Sequence, residues 1–582
     1  MFLPGAQILV NCLVSGYPLS AVFSIEISPG DQILALKHSI AIHANLPSRF
    51  ITLFKISLAP EDPLLLAPDP RTIPGAEELS SPWKPISNFF MDTLAHDVID
   101  VLVVCPVSPL DTSLGSQPPA VLHPDEKAFQ TAVEDAAAAG DPRAIATSVS
   151  KFQDEQENHP TYNGRPSTRI GPPITIYNRA FAIIRDRLKD LSKEPLVPHL
   201  VVDTSQLFDA AAAIYDEENE REDATYPILE RLLGVTLDRK VRASYSGWTL
   251  AESDAACVLE LKGGSKAIIA HVEYTHGLGL AGQSGVQGPL ALRKHIATPD
   301  YAKLRNSSHC PCLLISIAGP YISFAGSVQV DVFSTQQLTD YIYLGADDLR
   351  HTERVEEVSK IFGVFRDALK DLAEYYSSLT LSSAPSRARL YPSPAYEAQS
   401  PGPIQFVERL RFGRWNDKSY HCSLFNAKLG DDPVIVKFCQ TYGEDAHTIV
   451  AAAGLAPRLR FVVPLCGGGK MVVMDDANGE PASVAFQSLK VLPPTVVKDL
   501  ESALHILHAN DLVYGDLRLP NIIVREEGSQ WRASLIDFDW AGPVGTVHYP
   551  SNLNMAAFWG IGAGPCLSIL KEHDLGMLER LS

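Results

Sequence analysis

Two proline-rich stretches divide this chain. Prolines at 106, 109, 118, 119 and 124 mark the first, and prolines at 385, 392, 394, 401 and 403 mark the second. Proline fixes φ and donates no backbone hydrogen bond, so neither stretch continues a helix or the interior of a sheet. Three blocks remain, each with its own apolar periodicity, and the chain reads as a multidomain α+β protein. No apolar run reaches the roughly 18 residues that span a bilayer. The longest, Leu313 to Phe324, is broken at Gly319-Pro320 and reads as two strands around a turn. No membrane partner is expected.

Charge narrows the partners further. The chain has 49 Lys and Arg against 68 Asp and Glu, a net charge of −19. Such a chain has no general attraction to phosphate backbones or anionic membranes, so any nucleic-acid contact has to be local. The nine cysteines are odd in number, and only Cys310 and Cys312 lie close together. No second pair follows at zinc-finger spacing, and the cysteines read as reduced thiols, which suits a cytosol or nucleus. Met1-Phe2-Leu3-Pro4 lacks the basic start of a secretory signal.

In the first block, Ile8–Val14 and Ser20–Ile27 read as strands, with Gly16-Tyr17-Pro18 as a turn. A helix follows with apolar residues at Ile33, Leu36 and Ile40, then a strand at Phe50–Lys55. The order β-β-α-β is the ubiquitin-like β-grasp plan. The block resembles the N-terminal module of the Crinkler effector family. Leu53-Phe54-Lys55 stands, in reduced form, where that family carries Leu-Phe-Leu-Ala-Lys, and His96 to Pro106 resembles its closing strand and proline.

The middle block begins with helices near Tyr177–Arg185, Ser205–Tyr215 and Tyr226–Leu233, the last ending at Gly234. A strand at Val241–Tyr245 precedes a hairpin, Asp254–Leu261 and Ala267–Tyr274, turning at Lys262–Lys266, and a helix follows at Gln287–His295. Carboxylates on paired strands, with a lysine nearby, converge on a divalent metal ion and steady charge on phosphate. The block resembles the PD-(D/E)xK restriction-endonuclease-like α/β domains found in fungal Crinkler-type proteins. Glu260-Leu261-Lys262 fits the motif literally, but Asp254 and Glu260 share a strand and lie about 20 Å apart at ~3.3 Å per residue. Asp254 with Glu273, across the hairpin, is the preferred catalytic and metal pair, with Gln287 beside it. The lysine slot is then Thr275, and nuclease activity is expected to be weak or absent.

The third block carries the most specific signals. Val434-Ile435-Val436-Lys437 is a strand ending in lysine, and Glu444, or Asp445 one residue out of phase, follows in a helix. Met471–Asp475 reads as a strand leading to a hinge. Tyr514-Gly515-Asp516 is followed by Asn521, and Ile536-Asp537-Phe538-Asp539 comes after. Together these resemble a small two-lobed protein-kinase-like domain of the kind fused to Crinkler-type proteins; Lys571-Glu572-His573-Asp574 also looks like that group. The resemblance implies ATP and magnesium as cofactors. Lys437 meets the phosphates and is fixed by Glu444; Gly413 lies in the phosphate loop and Asp475 at the hinge. Asn521 and Asp537 hold metal, and Asp516 acts on the acceptor hydroxyl. No Ala-Pro-Glu follows Asp539, and the C-terminal lobe is expected to be reduced.

The expected organisation is a ubiquitin-like Crinkler module at 1–108, a linker at 109–170, the nuclease-like domain at 171–378, a linker at 379–402 and the kinase-like domain at 403–582. The resemblance implies an effector exported without a recognisable signal. It would act in a host cell, in its nucleus, on protein or DNA partners there. The alternatives are a cytoplasmic protein, a metal-dependent DNA nuclease toxin, or a non-catalytic adaptor that recruits partners through its N-terminal module.

Overall fold

The computed structural model describes residues 8–14, 22–43, 52–59, 62, 65, 73–79, 85–90, 98–104, 123–245, 248–278, 283–397, 402–410, 423–487 and 491–582. The chain divides into two compact units, Met1–Val121 and Leu122–Ser582.

In the first unit the strands are β1 (Ile8–Val14), β2 (Phe23–Ile27), β3 (Thr52–Leu58), β4 (Glu77–Glu78) and β5 (Ile99–Val104), with helix α1 (Ile33–His43) after β2. They form one five-stranded mixed sheet in the order β2-β1-β5-β3-β4, with β1 and β5 parallel at its centre. Ile25 and Ile27 are buried on β2 while Ser24 and Glu26 face water, the period of two that a half-buried strand requires. Ile33, Leu36 and Ile40 of α1 pack into the same core as Val10, Cys12 and Val101. The turn expected at Gly16-Tyr17-Pro18 lies outside the described residues.

The second unit opens with α2 (Pro124–Ala138), α3 (Pro142–Ala146) and α4 (Val149–Asn158). The expected linker at 109–170 is therefore helical over this stretch. Pro124 stands at the first helical position, where its missing N–H leaves no bond unmade. Next come α5 (Arg179–Leu188), α6 (Pro198–Ala212), α7 (Glu218–Leu233), β6 (Asp238–Tyr245), β7 (Trp248–Glu260), β8 (Lys266–Thr275), α8 (Ser284–Ala297), α9 (Ala302–Ser307), β9 (Cys312–Ala318), β10 (Tyr321–Gln329), β11 (Phe333–Gln337), β12 (Ile342–Tyr343) and α10 (His351–Ser378). The strands form a seven-stranded sheet, β11-β10-β9-β8-β7-β6, with β12 beside β10. Only β8 and β9 among its described pairs run parallel. Both are buried along nearly their whole length. Tyr274 and Ile315 share a core with Phe362 and Phe365 of α10, while Gly288 of α8 packs against Glu273 and Leu314 on the opposite face.

The remaining elements are β13 (Ile404–Arg409), β14 (Ser423–Leu429), β15 (Asp432–Cys439), α11 (Glu444–Ala452), β16 (Leu459–Pro464), β17 (Lys470–Asp475), β18 (Glu480–Pro481), α12 (Ala482–Ala485), α13 (Pro494–Ala509), β19 (Leu512–Val513), β20 (Ile522–Glu527), β21 (Gln530–Leu535), β22 (Gly542–Pro543) and α14 (Lys571–Leu581). A five-stranded antiparallel sheet, β13-β14-β15-β17-β16, precedes a part that carries helices α12, α13 and α14, the small β18-β20-β21 sheet and long irregular stretches. The five-stranded sheet is tied to the middle block. Phe425, Val436, Phe438 and Val473 belong to the same buried cluster as Phe324 and Phe365. The β16–β17 turn docks on α5, where the Gly467 N–H donates to Asp186 Oδ2 at 2.8 Å. Gly467 has φ +81, and a Cβ there would meet Ala182 Cα at 2.8 Å, so the close approach needs glycine. The expected linker at 379–402 is also bound in. Nη1 and Nη2 of buried Arg389 donate to the Glu126 carboxylate of α2, at 2.9 and 2.8 Å.

Candidate active sites

In the C-terminal block, strand alternation on β15 buries Val434 and Val436 and brings Lys437 into a cleft. Its Nζ lies 2.7 Å from Oδ1 of Asp537 and 2.7 Å from Oδ1 of Asp539. Burial alone would depress the ammonium, but the two carboxylates outweigh it and hold the lysine above its ordinary value. The two acids divide in the opposite sense. Burial raises both, yet Lys437 wins at Asp537 and draws it below the ordinary carboxylate range. Asp539 stays above that range, because burial and the charge of Asp537 outweigh the lysine there. Asp537 has φ +63, a left-handed backbone that a non-glycine residue keeps only where its surroundings fix it.

Those surroundings are aromatic. Phe538 stacks on His447 of α11 with ring centroids 4.5 Å apart and planes 7° from parallel. Tyr514 meets Phe538 edge-on at 5.4 Å. His447 Nε2 donates to the Pro457 carbonyl at 2.8 Å, and Nδ1 accepts from Tyr442 at 2.7 Å. Burial pushes this imidazole down to about 4, so it is neutral.

The expectation for Glu444 fails here. Ala446, His447 and Val450 form the buried face of α11, and Glu444 and Asp445, in its first turn, are exposed. Packing on Phe538 gives the inward position to His447, and Lys437 takes its charge partners from Asp537 and Asp539. Asp475, at the end of β17, is held by Arg460 at 2.5 Å. Gly413 lies outside the described residues.

Asp516 sits in the loop after β19, 5% exposed. Arg518 spans its two carboxylate oxygens, with Nη2 2.8 Å from Oδ2. Burial pushes Asp516 up to about 6 against the pull of Arg518. Asn521 donates its amide nitrogen to the Asp516 carbonyl at 3.0 Å, so the side-chain atom left for a cation is its carbonyl oxygen. The residue that shapes this loop is one the motif reading left without a role. Asp574 of α14, fully buried, accepts from the backbone N–H of Tyr514 at 2.9 Å and of Gly515 at 2.7 Å. His508 Nε2 adds a contact at 3.0 Å. An aspartate 58 positions downstream of Asp516 carries no local signal of this role.

In the middle block, Ala255 pairs with Val272, so Asp254 and Glu273 adjoin on neighbouring strands. Asp254 Oδ2 accepts from the Tyr274 N–H at 2.9 Å. Glu273 is 1% exposed and accepts from Gln287 at 2.6 Å. Burial, then the charge of Asp254, holds its carboxyl well above the ordinary range. Glu260 is exposed at the turn end of the hairpin, opposite Lys266.

The structure adds residues that the hairpin motif did not include. Ligand oxygens of Glu218, Glu222 and Asp254 lie within 4.8 Å of one another. Glu218 and Glu222 are four apart on α7, so they share a face, which is the signal that was available in the sequence. Lys240 of β6 reaches Asp254 at 3.0 Å and Glu222 at 3.5 Å. It is a cation on a neighbouring strand, paired with two of these three acids. Glu222 Oε1 is buried with no partner among the described residues.

Residues 8–104 match the family model described as the Crinkler effector protein N-terminal domain. Protein kinases are among the solved structures that resemble part of the chain. The structure of the Cydia pomonella Granulovirus kinase PK-1 matches at 18% identity and a TM-score of 0.24, covering 30% of this chain and 65% of that one. The structure of vaccinia related kinase 3 matches at 18% identity and a TM-score of 0.24, covering 31% of this chain and 63% of that one. This chain thus spans just under two thirds of the length of each. No curated protein matches the chain. Among the described residues, no helix is long and apolar enough to cross a membrane.

Proposed function

We propose that this protein is a Crinkler-type effector whose C-terminal block is a protein-kinase-like phosphotransferase. It would move the terminal phosphoryl group of ATP to a protein hydroxyl inside a host cell. The observation that carries the reading is the grouping of Lys437, Asp537 and Asp539 within ion-pair distance, beside the buried Asp516–Asn521 loop. The set suits the cofactors: hard carboxylate and amide oxygens are the donors magnesium takes, and a lysine among them suits a phosphate. Asp537 and Asn521 would hold the metal, with Asp539 beside them. Magnesium, when bound, neutralises charge on the phosphates. Lys437 exchanges its carboxylate partners for phosphate oxygens and keeps its charge throughout. Asp516, ionised above about pH 6, takes the proton of the acceptor hydroxyl, while Asp574 and Asn521 hold the loop that carries it.

The parallel β1–β5 pair at the centre of the mixed sheet supports a ubiquitin-like fold for the first unit. The family match over 8–104 supports effector action in a host cell, with its nucleus as the proposed destination. A second reading has its own support. The Glu218–Glu222–Asp254 grouping with its unpartnered Glu222 oxygen suits a divalent metal ion, and with Lys240 it favours a nuclease-like, DNA-directed role for the middle block. Autophosphorylation and ATP hydrolysis with magnesium test the main reading. Wild type should show both, and Asp537→Ala neither. Equal activity in the two proteins would overturn it.

A further inference from the structure

The middle block has a half-open cavity of about 250 Å³ that the kinase-like reading does not use and that meets the metal-site reading only at Thr275. It lies where β8 ends, against the start of α8. Three of its lining residues carry buried hydroxyls with no hydrogen-bond partner among the described residues: Thr275, Ser284 and Thr335, at 3%, 1% and 5% exposure. A buried hydroxyl left unpaired is destabilising, and three around one cavity call for a polar occupant. Its charge is set by what surrounds it. The chain carries −19 overall, yet no described lining residue is acidic, and Arg165 is among them. The 14-residue helix α8 begins at the cavity, and no side chain among the described residues caps it, so the N–H groups of Ser284 and Gly285 and the positive end of its dipole face an anion favourably.

The frame is built. Gln283, which precedes the helix, accepts from Arg165 Nη1 through its Oε1 at 2.6 Å and so places the guanidinium beside the helix start. Asn163 accepts from the Arg165 N–H at 3.1 Å and from Gln156 at 3.2 Å. The Thr335 N–H donates to Tyr162 at 3.0 Å.

We infer that this cavity is a binding site for a phosphate group, held by Arg165, the amides opening α8, and the hydroxyls of Thr275, Ser284 and Thr335. Several donors around one small space suit a tetrahedral oxyanion, and the volume leaves room for part of what the phosphate is attached to. The carrier is either a small phosphorylated molecule or the backbone of a nucleic acid.

The full-length protein, in EDTA, is titrated calorimetrically with inorganic phosphate, with adenosine monophosphate and with a short DNA duplex. Thermal unfolding is followed in parallel. Wild type and Asp537→Ala should bind alike, because the latter changes only the C-terminal block. Arg165→Ala, Thr275→Val and Ser284→Ala should each lose about 10-fold or more in affinity, the range for a hydrogen bond to a charged group. Thr275→Val removes an unpaired buried hydroxyl, so its unfolding temperature should hold or rise, and loss of binding then reports the site and not the fold. Dependence seen with the two small probes assigns a small phosphorylated ligand, and dependence seen with the duplex alone assigns a nucleic-acid backbone. Binding that is equal in all three variants, or absent with all three probes, overturns the inference.

Discussion

Lys437 Nζ stands 2.7 Å from Oδ1 of Asp539, the residue third in the Asp537-Phe538-Asp539 run. Asp537 Oδ1 lies at the same distance, so one ammonium joins two carboxylates that would otherwise repel. The carboxyl of Asp539 is the poorer acid of the two and holds its proton more readily. That asymmetry gives the two positions different roles. Asp537 is held ionised beside the ammonium, while Asp539 takes up a proton more readily.

Nucleotide binding should therefore separate the acidic residues. Asp537→Ala should lower magnesium-ATP affinity by about 10-fold or more, and transfer by about 100-fold or more. Asp516→Ala should leave affinity within about 3-fold while transfer falls by a similar 100-fold, because it acts on the acceptor. Fluorescence titration beside a turnover assay reads both. Equal affinity in wild type and Asp537→Ala would leave the block a pseudokinase, and the protein an adaptor.

The acid limb of the pH profile follows from Asp516. Its carboxyl is raised from 3.8 to about 6, chiefly by burial, so transfer should fall as pH drops through about 6. Arg518 holds that value down, so Arg518→Ala should move the limb to higher pH. The native state binds this proton more tightly than the unfolded chain does. Stability contributed by Asp516 is hence full below about pH 4 and lost as pH rises towards 6. A kcat profile for both proteins checks the first point, and denaturation midpoints at several pH values check the second.

Much of this was legible in the sequence because the relevant spacings are short. Asp516 to Asn521 and Asp537 to Asp539 are fixed by one loop each, and the β7–β8 hairpin brings Asp254 to Glu273 through a turn that glycines announce. What was not legible depends on tertiary placement. Glu444 and His447 differ by three residues on one short helix, and only packing against Phe538 decides which of them turns inward. The stretches at 109–170 and 379–402 read as linkers from their prolines, yet Pro124 starts a helix, and Arg389 finds Glu126 across 263 residues. Lys240 reaches Asp254 from a strand with a backbone φ of +52, a placement that no spacing rule supplies.

The metal site proposed for the middle block can be tested by metal binding itself. Manganese should bind the wild type and lose about 10-fold or more in affinity in Asp254→Asn and in Glu222→Gln. DNA cleavage should be weak or absent, since Thr275 brings no charge to phosphate. Thr275→Lys should raise cleavage if Lys240 is fully engaged with Asp254 and Glu222. Cleavage by the wild type that survives Glu273→Ala would show that Glu273 is not part of the site.

The last prediction concerns Asp574, whose carboxylate accepts the backbone N–H groups of Tyr514 and Gly515 directly before Asp516. In Asp574→Asn one side-chain atom becomes a donor and confronts one of those N–H groups, at a fully buried position. The cost should be about 3 kcal/mol, read as a lower denaturant midpoint for the unit 122–582, with the transition of the 1–121 unit unchanged. Gly515→Ala should act on the same loop by a different route. Gly515 has φ +83, and a Cβ there would lie 2.9 Å from Ile569 Cδ1. Ile569→Val deletes that methyl group, so the double variant should recover part of the stability lost in Gly515→Ala and leave the backbone strain, about 1–3 kcal/mol. Transfer activity should recover in the same proportion, because the loop that Gly515 turns is the one that carries Asp516. A double variant no more stable and no more active than Gly515→Ala alone would show that the contact with Ile569 does not set the position of Asp516.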